Sequence, residues 1–204
     1  MASSKREQIL ASALTLFVER GISDTSTASI AKGASVATGT LFHHFANKQA
    51  IVDGLYRHLK EQIASQMTST ESELDMLAKA KSYWLTCLNC FINNTEALKF
   101  FQLYYATPSV AKDNKFAVIK DTFGFFLDFI DRAKQAGLFI DLPQEYIMSH
   151  CQQGLFNTAQ FLIDYPEHFD EIKRKSFELH FGALLTAQGH AQLAKSVNEI
   201  DNNT

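Results

Sequence analysis

The side chains with the most chemistry to offer lie between positions 38 and 48, where Thr38, Gly39, Thr40, Phe42, His43, His44 and Lys48 follow in close order. Hydroxyls and imidazoles can exchange hydrogen bonds with the donors and acceptors on base edges, and a glycine lets backbone approach closely. Lys48 can grip a phosphate together with the unsatisfied amides of a helix start. Metal binding by His43 and His44 is the rival chemistry, but neighbours on a helix point about 100° apart and converge on one ion only with further ligands. Cys87 and Cys90 form a CxxC inside YWLTCLNCF. That stretch reads as helix rather than tight turn, so the expectation is buried free thiols and not a redox or zinc pair. No GxSxG elbow, phosphate-cradling glycine loop or dinucleotide fingerprint occurs, which argues against an enzyme and leaves no cofactor implied.

The elements that must position these residues follow from apolar spacing. Ile9, Ala13, Leu16 and Phe17 recur at helical intervals from Ser4 onward, with Gly21 as the stop. Thr27 is expected to cap a short helix carrying Ile30 and Ala31. Thr38 to Phe45 forms another short helix, and Asn47 caps a longer one in which Ile51, Leu55, Leu59 and Ile63 make a narrow stripe up to residue 66. Two short helices joined by Ala34-Ser35-Val36-Ala37 behind a third helix are the layout of a helix-turn-helix reader of double-stranded DNA. Ile30, Ala31, Val36 and Leu41 would meet in its small core.

Residues 8 to 60, above all TASIAKGASVATGTLFHHFANKQAIVDGL from Thr27 to Leu55, resemble the N-terminal domain of TetR family transcriptional regulators. The matches are Thr27, Ile30-Ala31, Val36, Gly39-Thr40-Leu41, the aromatic Phe42, His44-Phe45 and Lys48. The resemblance implies DNA contact through Thr27, Thr38, Gly39, Thr40, Phe42, His43, His44 and Lys48. It also implies a larger helical domain for ligand binding and dimerisation. Three positions depart from the pattern. Ser35 stands where a turn glycine is usual, Ala37 where a capping serine is usual, with Thr38 as a substitute cap, and Phe42 where a tyrosine is common. Phe42 is expected to keep the ring packing and lose one hydrogen bond to phosphate.

The whole chain fits that frame. Its 204 residues are 46% hydrophobic with only three prolines and nine glycines, which favours an all-α protein. Expected helices after residue 66 run from Glu71 to Asn93, Glu96 to Ala106, Lys115 to Ala136, Gln144 to Ile163 and Phe169 to Ala187, before a polar tail that frays. The expected division is a DNA-binding domain at 1–47 and a ligand-binding and dimerisation domain at 48–204, helix 48–66 connecting them. Seven Lys or Arg face four acids in residues 1–60, against twelve and eighteen in the remainder. A basic head therefore precedes an acidic body. Three cysteines, no leader segment and no long apolar run point to a cytoplasmic protein without a membrane span.

Aromatics concentrate beyond residue 60. Most of these rings are expected to be core. The resemblance implies a ligand pocket between the middle helices, for which Trp84, Phe91, Phe101, Tyr104, Tyr105, Phe123, Phe126 and Phe156 are the candidates, and its ligand is expected to be small and apolar or aromatic. The stretch 144–187 has apolar residues on two fronts, one suited to the chain's own core and one to a symmetry mate. These readings converge on a ligand-responsive homodimeric repressor of an inverted-repeat operator. A helical small-molecule carrier or enzyme with a head that does not bind DNA is the alternative.

Overall fold

The computed structural model describes residues 4–67, 75–107 and 112–201. Ten α-helices occupy the described residues: α1 Lys5–Arg20, α2 Thr27–Gly33, α3 Thr38–His44, α4 Lys48–Met67, α5 Met76–Asn93, α6 Thr95–Ala106, α7 Lys112–Gln135, α8 Gln144–Asp164, α9 Phe169–Phe181 and α10 Ala187–Asp201. The only β feature described is an isolated antiparallel bridge between Phe139 and Leu185, so the fold is all-α. The expected helix start at Glu71 and the break at Pro108-Ser109 lie outside the described residues.

The chain forms two compact units. The first unit takes residues up to Gln62 together with Asn94–Val118; the second takes Ile63–Asn93 and Ile119–Thr204. In the first unit, α1 buries Ile9, Leu10, Ala13 and Phe17, and α6 buries Leu98, Phe100, Phe101 and Tyr104. Phe17 and Phe100 stack at 6.1 Å between ring centres, which anchors α1 on α6. Helix α1 starts in a capping box: Ser4 accepts from the Glu7 amide and Glu7 accepts from the Ser4 amide. It ends at Gly21, whose φ of 85° favours glycine.

The second unit packs α5 against α8 and α9. Trp84 donates from Nε1 to Ser176 Oγ at 2.8 Å, an indole satisfied across two helices. Phe91 meets Phe156 edge-on at 5.3 Å, and Phe177 stacks on Phe181 at 4.6 Å. Helix α7 is not the continuous element expected from the sequence: Phe123 has non-helical φ and ψ of −120° and 25°, a kink beside Gly124. Nor does the tail run as loose polar chain. Thr186 caps α10, accepting from the Gly189 amide at 3.1 Å and donating to the Gly137 carbonyl at 2.5 Å. Gln188 adds a bond to the Ala136 carbonyl, so the end of α7 holds the start of α10. Its polar composition had hidden this cap.

Candidate nucleic-acid interface

Helix α3 is short because its ends are set by chain geometry rather than by propensity. Ser35 adopts φ 55°, so the left-handed turn residue is retained without glycine. The Ser35 amide donates to the Lys32 carbonyl and the Val36 amide to the Ala31 carbonyl at 3.0 Å, closing α2 and turning the chain towards α3. Ala37 precedes α3 in extended conformation with no side-chain cap, so the substitute cap expected from Thr38 is not made. Thr38 is already the first helical residue, one step past the cap position. Helix α2 is capped by Ser26, which accepts from the Ser29 amide at 3.1 Å, and not by Thr27. Ser26 is the extended residue; Thr27 lies one step inside the helix and half-buried.

Only Leu41 of α3 is buried. It joins Ile30, Ala31 and Phe45 in the core of the first unit, while Val36 is half-buried. Thr38, Gly39, Phe42, His43 and His44 are exposed and Thr40 is half-buried. Phe42 departs from expectation: 46% of it is exposed, so its ring is surface that a partner can cover rather than core packing. Nothing lies within 4 Å of where a Gly39 side chain would begin, leaving open backbone on the outer face. The His43 and His44 rings meet edge-on at 5.4 Å. Among the described residues no group of three or more His, Cys, Asp or Glu is placed to hold a metal ion.

Lys48 lies where the sequence put it, at the start of α4, but its ammonium is partly engaged. Lys48 Nζ donates to the Ile22 carbonyl at 3.0 Å and the Ser23 carbonyl at 2.9 Å. Two of its three donors therefore fix the α1–α2 loop, and one is left for an anion. Asn47 caps α4 as expected, accepting from the Ala50 amide at 2.9 Å.

The eight aromatics singled out from the sequence are divided between the units. Phe101, Tyr104 and Tyr105 belong to the first and surround Tyr56, which stacks on Tyr104 at 4.1 Å and shares a 2.6 Å hydrogen bond with the Tyr105 hydroxyl. Burial pushes the Tyr56 and Tyr104 hydroxyls above their ordinary pKa, helped by Tyr105 at Tyr56 and by the Asp53 carboxylate at Tyr104, so both stay protonated and Tyr104 donates to Asp53 Oδ1 at 3.4 Å. Lys60, buried beside them, sets its ammonium 5.1 Å from the Phe101 ring centre and 5.7 Å from that of Tyr56. Trp84, Phe91, Phe123, Phe126 and Phe156 are buried in the second unit.

None of the eight aromatics lines either of two grooves on the described residues. One, of about 350 Å³ in the first unit, runs between α1 and α4 over Leu10, Leu14, Leu55 and Leu59. The other, of about 310 Å³ on α8 and α9, is bordered by Tyr146, Ser149, His150, Gln153, Asn157 and His180. His150 donates from Nε2 to the His180 carbonyl at 3.0 Å, and His180 Nε2 is bonded to Thr158 Oγ1 at 3.1 Å. Gly154 makes room for that ring, since an added Cβ would fall 2.6 Å from His180 Nδ1.

The cysteines are free thiols in helices. Cys87 and Cys151 are buried while Cys90 is half-buried, so the expectation of burial fails for Cys90. Burial, reinforced by Cys87, pushes the Cys151 thiol up to about 12, far from a reactive thiolate.

Comparison with known proteins bears on the same residues. The family model described as bacterial regulatory proteins, tetR family, matches residues 9–55. The transcriptional repressor KstR2 of Mycobacterium tuberculosis (strain H37Rv) is 44% identical over 55 residues, 27% of this chain and 28% of that protein. KstR2 of Rhodococcus jostii is 30% identical over 101 residues, 49% of this chain and 50% of that one. The chain thus matches half or less of the length of these curated relatives. Solved structures extend further. A TetR family transcription regulator from Shewanella sp. PV-4 is 31% identical with a TM-score of 0.84, covering 90% of this chain and all of that one. The regulator FadR from Bacillus subtilis, crystallised with stearoyl-CoA, shares the fold at 16% identity and a TM-score of 0.66, covering 85% of this chain and 96% of that one.

Proposed function

The chain belongs to the TetR family of transcriptional regulators, and on that premise we propose that it is a ligand-responsive repressor that binds an inverted-repeat operator as a homodimer. The observation that carries this reading is the split of α3: Leu41 is buried in the core, and Thr38, Gly39, Phe42, His43 and His44 are held outward. A helix so divided enters a major groove with hydrogen-bonding and methyl-contacting groups foremost. Thr27 at the start of α2 and Lys48 at the start of α4 flank it as phosphate contacts. Residues 1–47 serve as the reader, with the remainder for ligand and dimer.

Dimerisation is assigned to residues 144–187. Of the large apolar side chains exposed among the described residues, Phe42 is on α3; Tyr146, Phe161, Tyr165 and Leu179 lie on α8, at its end, or on α9. Such a concentration on one helix pair is the expected face for a second copy. The effector is a small apolar or aromatic molecule held among the buried rings. Two proteins whose fold this chain shares are in keeping with an apolar effector: one was crystallised with stearoyl-CoA, and the other is named a ketosteroid transcriptional regulator. The ligand releases DNA only if it binds more tightly to the form whose heads do not match successive grooves. No described helix is long and apolar enough to cross a membrane, and the proposed site of action is the cytoplasm, where the operator is.

The experiment is selection of bound duplexes from a randomised pool at near-physiological salt, followed by sequencing. An enriched inverted repeat supports the dimeric reader. Retention without any shared sequence would sink it in favour of a helical carrier whose head only packs.

A further inference from the structure

Arg6 is placed oddly for a residue that serves its own helix. It sits in the first turn of α1, where the positive end of the helix dipole disfavours a cation. It is exposed, and among the described residues its guanidinium takes part in no hydrogen bond or ion pair. Its contact is instead with another element: the guanidinium carbon lies 5.4 Å from the centre of the Phe45 ring. Phe45 is the residue that closes α3, its amide bonded to the Leu41 carbonyl at 2.9 Å. The ring in turn rests on Gly54 of α4, where an added Cβ would come within 2.8 Å of Phe45 Cε1 and 3.7 Å of Arg6 Nη2. The bare backbone of Gly54 thus leaves room for both the ring edge and the guanidinium, a three-way contact that ties a cation from α1 to the far end of the reader helix.

From this geometry we infer that Arg6 is a phosphate-contacting residue, positioned by Phe45 to grip the DNA backbone beside α3. The contact with the ring spends none of the guanidinium N–H donors in a hydrogen bond, and the planar fork of an arginine can take a phosphate in two parallel bonds. Three other cations of the same unit are engaged or buried. Lys48 spends two donors on the Ile22 and Ser23 carbonyls, Lys5 donates to Gln8 Oε1 at 3.2 Å, and Lys60 is buried. Arg6 keeps its donors while its direction is fixed, so little side-chain freedom is lost on binding. The assignment rests on the DNA-binding reading above and adds a residue to it.

The test compares the wild-type chain, Arg6→Ala, Arg6→Lys and, as a control that removes one exposed charge from α7, Lys120→Ala. Affinity for the selected operator is measured across a series of salt concentrations, with a thermal melt of each variant. Removing one phosphate contact flattens the salt slope by about 0.9 per head and weakens binding roughly tenfold per head at 0.1 M salt. Arg6→Ala is expected to show both changes, Arg6→Lys to keep the slope, and Lys120→Ala to match wild type. An Arg6→Ala variant with the wild-type slope overturns the assignment, including the case where it melts lower and binds less, because a purely structural role moves affinity without moving the slope. A wild type that retains no duplex overturns the DNA-binding reading itself, and Arg6 with it.

Discussion

Single residues in this chain hold backbone and proton states that the surrounding helices enforce. Ser35 is the clearest, with φ 55° at the turn between α2 and α3. A side chain in the left-handed region costs about 1–2 kcal/mol, while glycine there forfeits some of that gain through a freer unfolded chain. Ser35→Gly is therefore expected to raise stability by about 0.5–1 kcal/mol, read as a shift in the denaturant midpoint at unchanged slope. A loss of stability would mean that the Ser35 side chain makes a bond that outweighs the strain. His180 supplies a second test. Burial beneath Trp84, whose ring stacks on it at 5.0 Å, together with its neighbour His150, lowers its pKa below the usual histidine value. The fold thus favours the neutral ring, and that stability is present at and above neutrality and lost as pH falls through the lowered pKa. Melting temperature followed from pH 7.5 to 5 is expected to drop more steeply in wild type than in His180→Gln, which keeps a bond to Thr158 without titrating. Parallel curves would show that His180 does not carry the acid sensitivity.

At the scale of elements, the lesson concerns what an apolar pattern can reveal. Helices α1 to α4 were legible because their apolar residues recur at helical spacing, and because Gly21 and Asn47 mark a stop and a start by local chemistry. The kink at Phe123 was not, since the residues around it keep a helical pattern on both sides and only the φ/ψ values of one residue break. Caps were partly misassigned. Ser26 and Thr27 are both competent, and which is extended depends on how α1 hands the chain over, not on either residue alone. Thr25 settles that handover, buried and donating to the Leu16 and Gly21 carbonyls. The phosphate candidates were legible as charges, but the engagement of Lys48 by loop carbonyls and the stack of Arg6 on Phe45 are tertiary facts without a sequence signal. Helix α3, which begins without a side-chain cap at Ala37, gives the prediction at this scale. Ala37→Ser supplies an acceptor for an otherwise unbonded amide and should stabilise the protein by about 0.5–2 kcal/mol. Because Ala37 precedes the reader face, the selected operator sequence should not change. A shifted sequence preference would place Ala37 among the base-contacting residues.

For the whole molecule, DNA affinity and self-association should stand or fall together. One head offers a seven-residue reader helix, too small for tight and specific binding alone, whereas two heads joined by a two-fold dimer read both half-sites of an inverted repeat. The exposed apolar residues of α8 and α9 are the face proposed for that junction, and Leu179, 68% exposed, is the one least engaged with its own chain. Leu179→Glu adds a charge there that would meet its own copy or an apolar neighbour across a two-fold axis, and an unpaired charge buried in an interface is strongly unfavourable. Folding should survive, since the residue contributes little to the core. Sedimentation at micromolar concentration is expected to find a monomer, and operator affinity should fall by two orders of magnitude or more, on the order of 3 kcal/mol. Binding to a single half-site should change little. A Leu179→Glu protein that remains a dimer would move the interface elsewhere on the second unit, and a monomer that retained full operator affinity would refute the need for two heads.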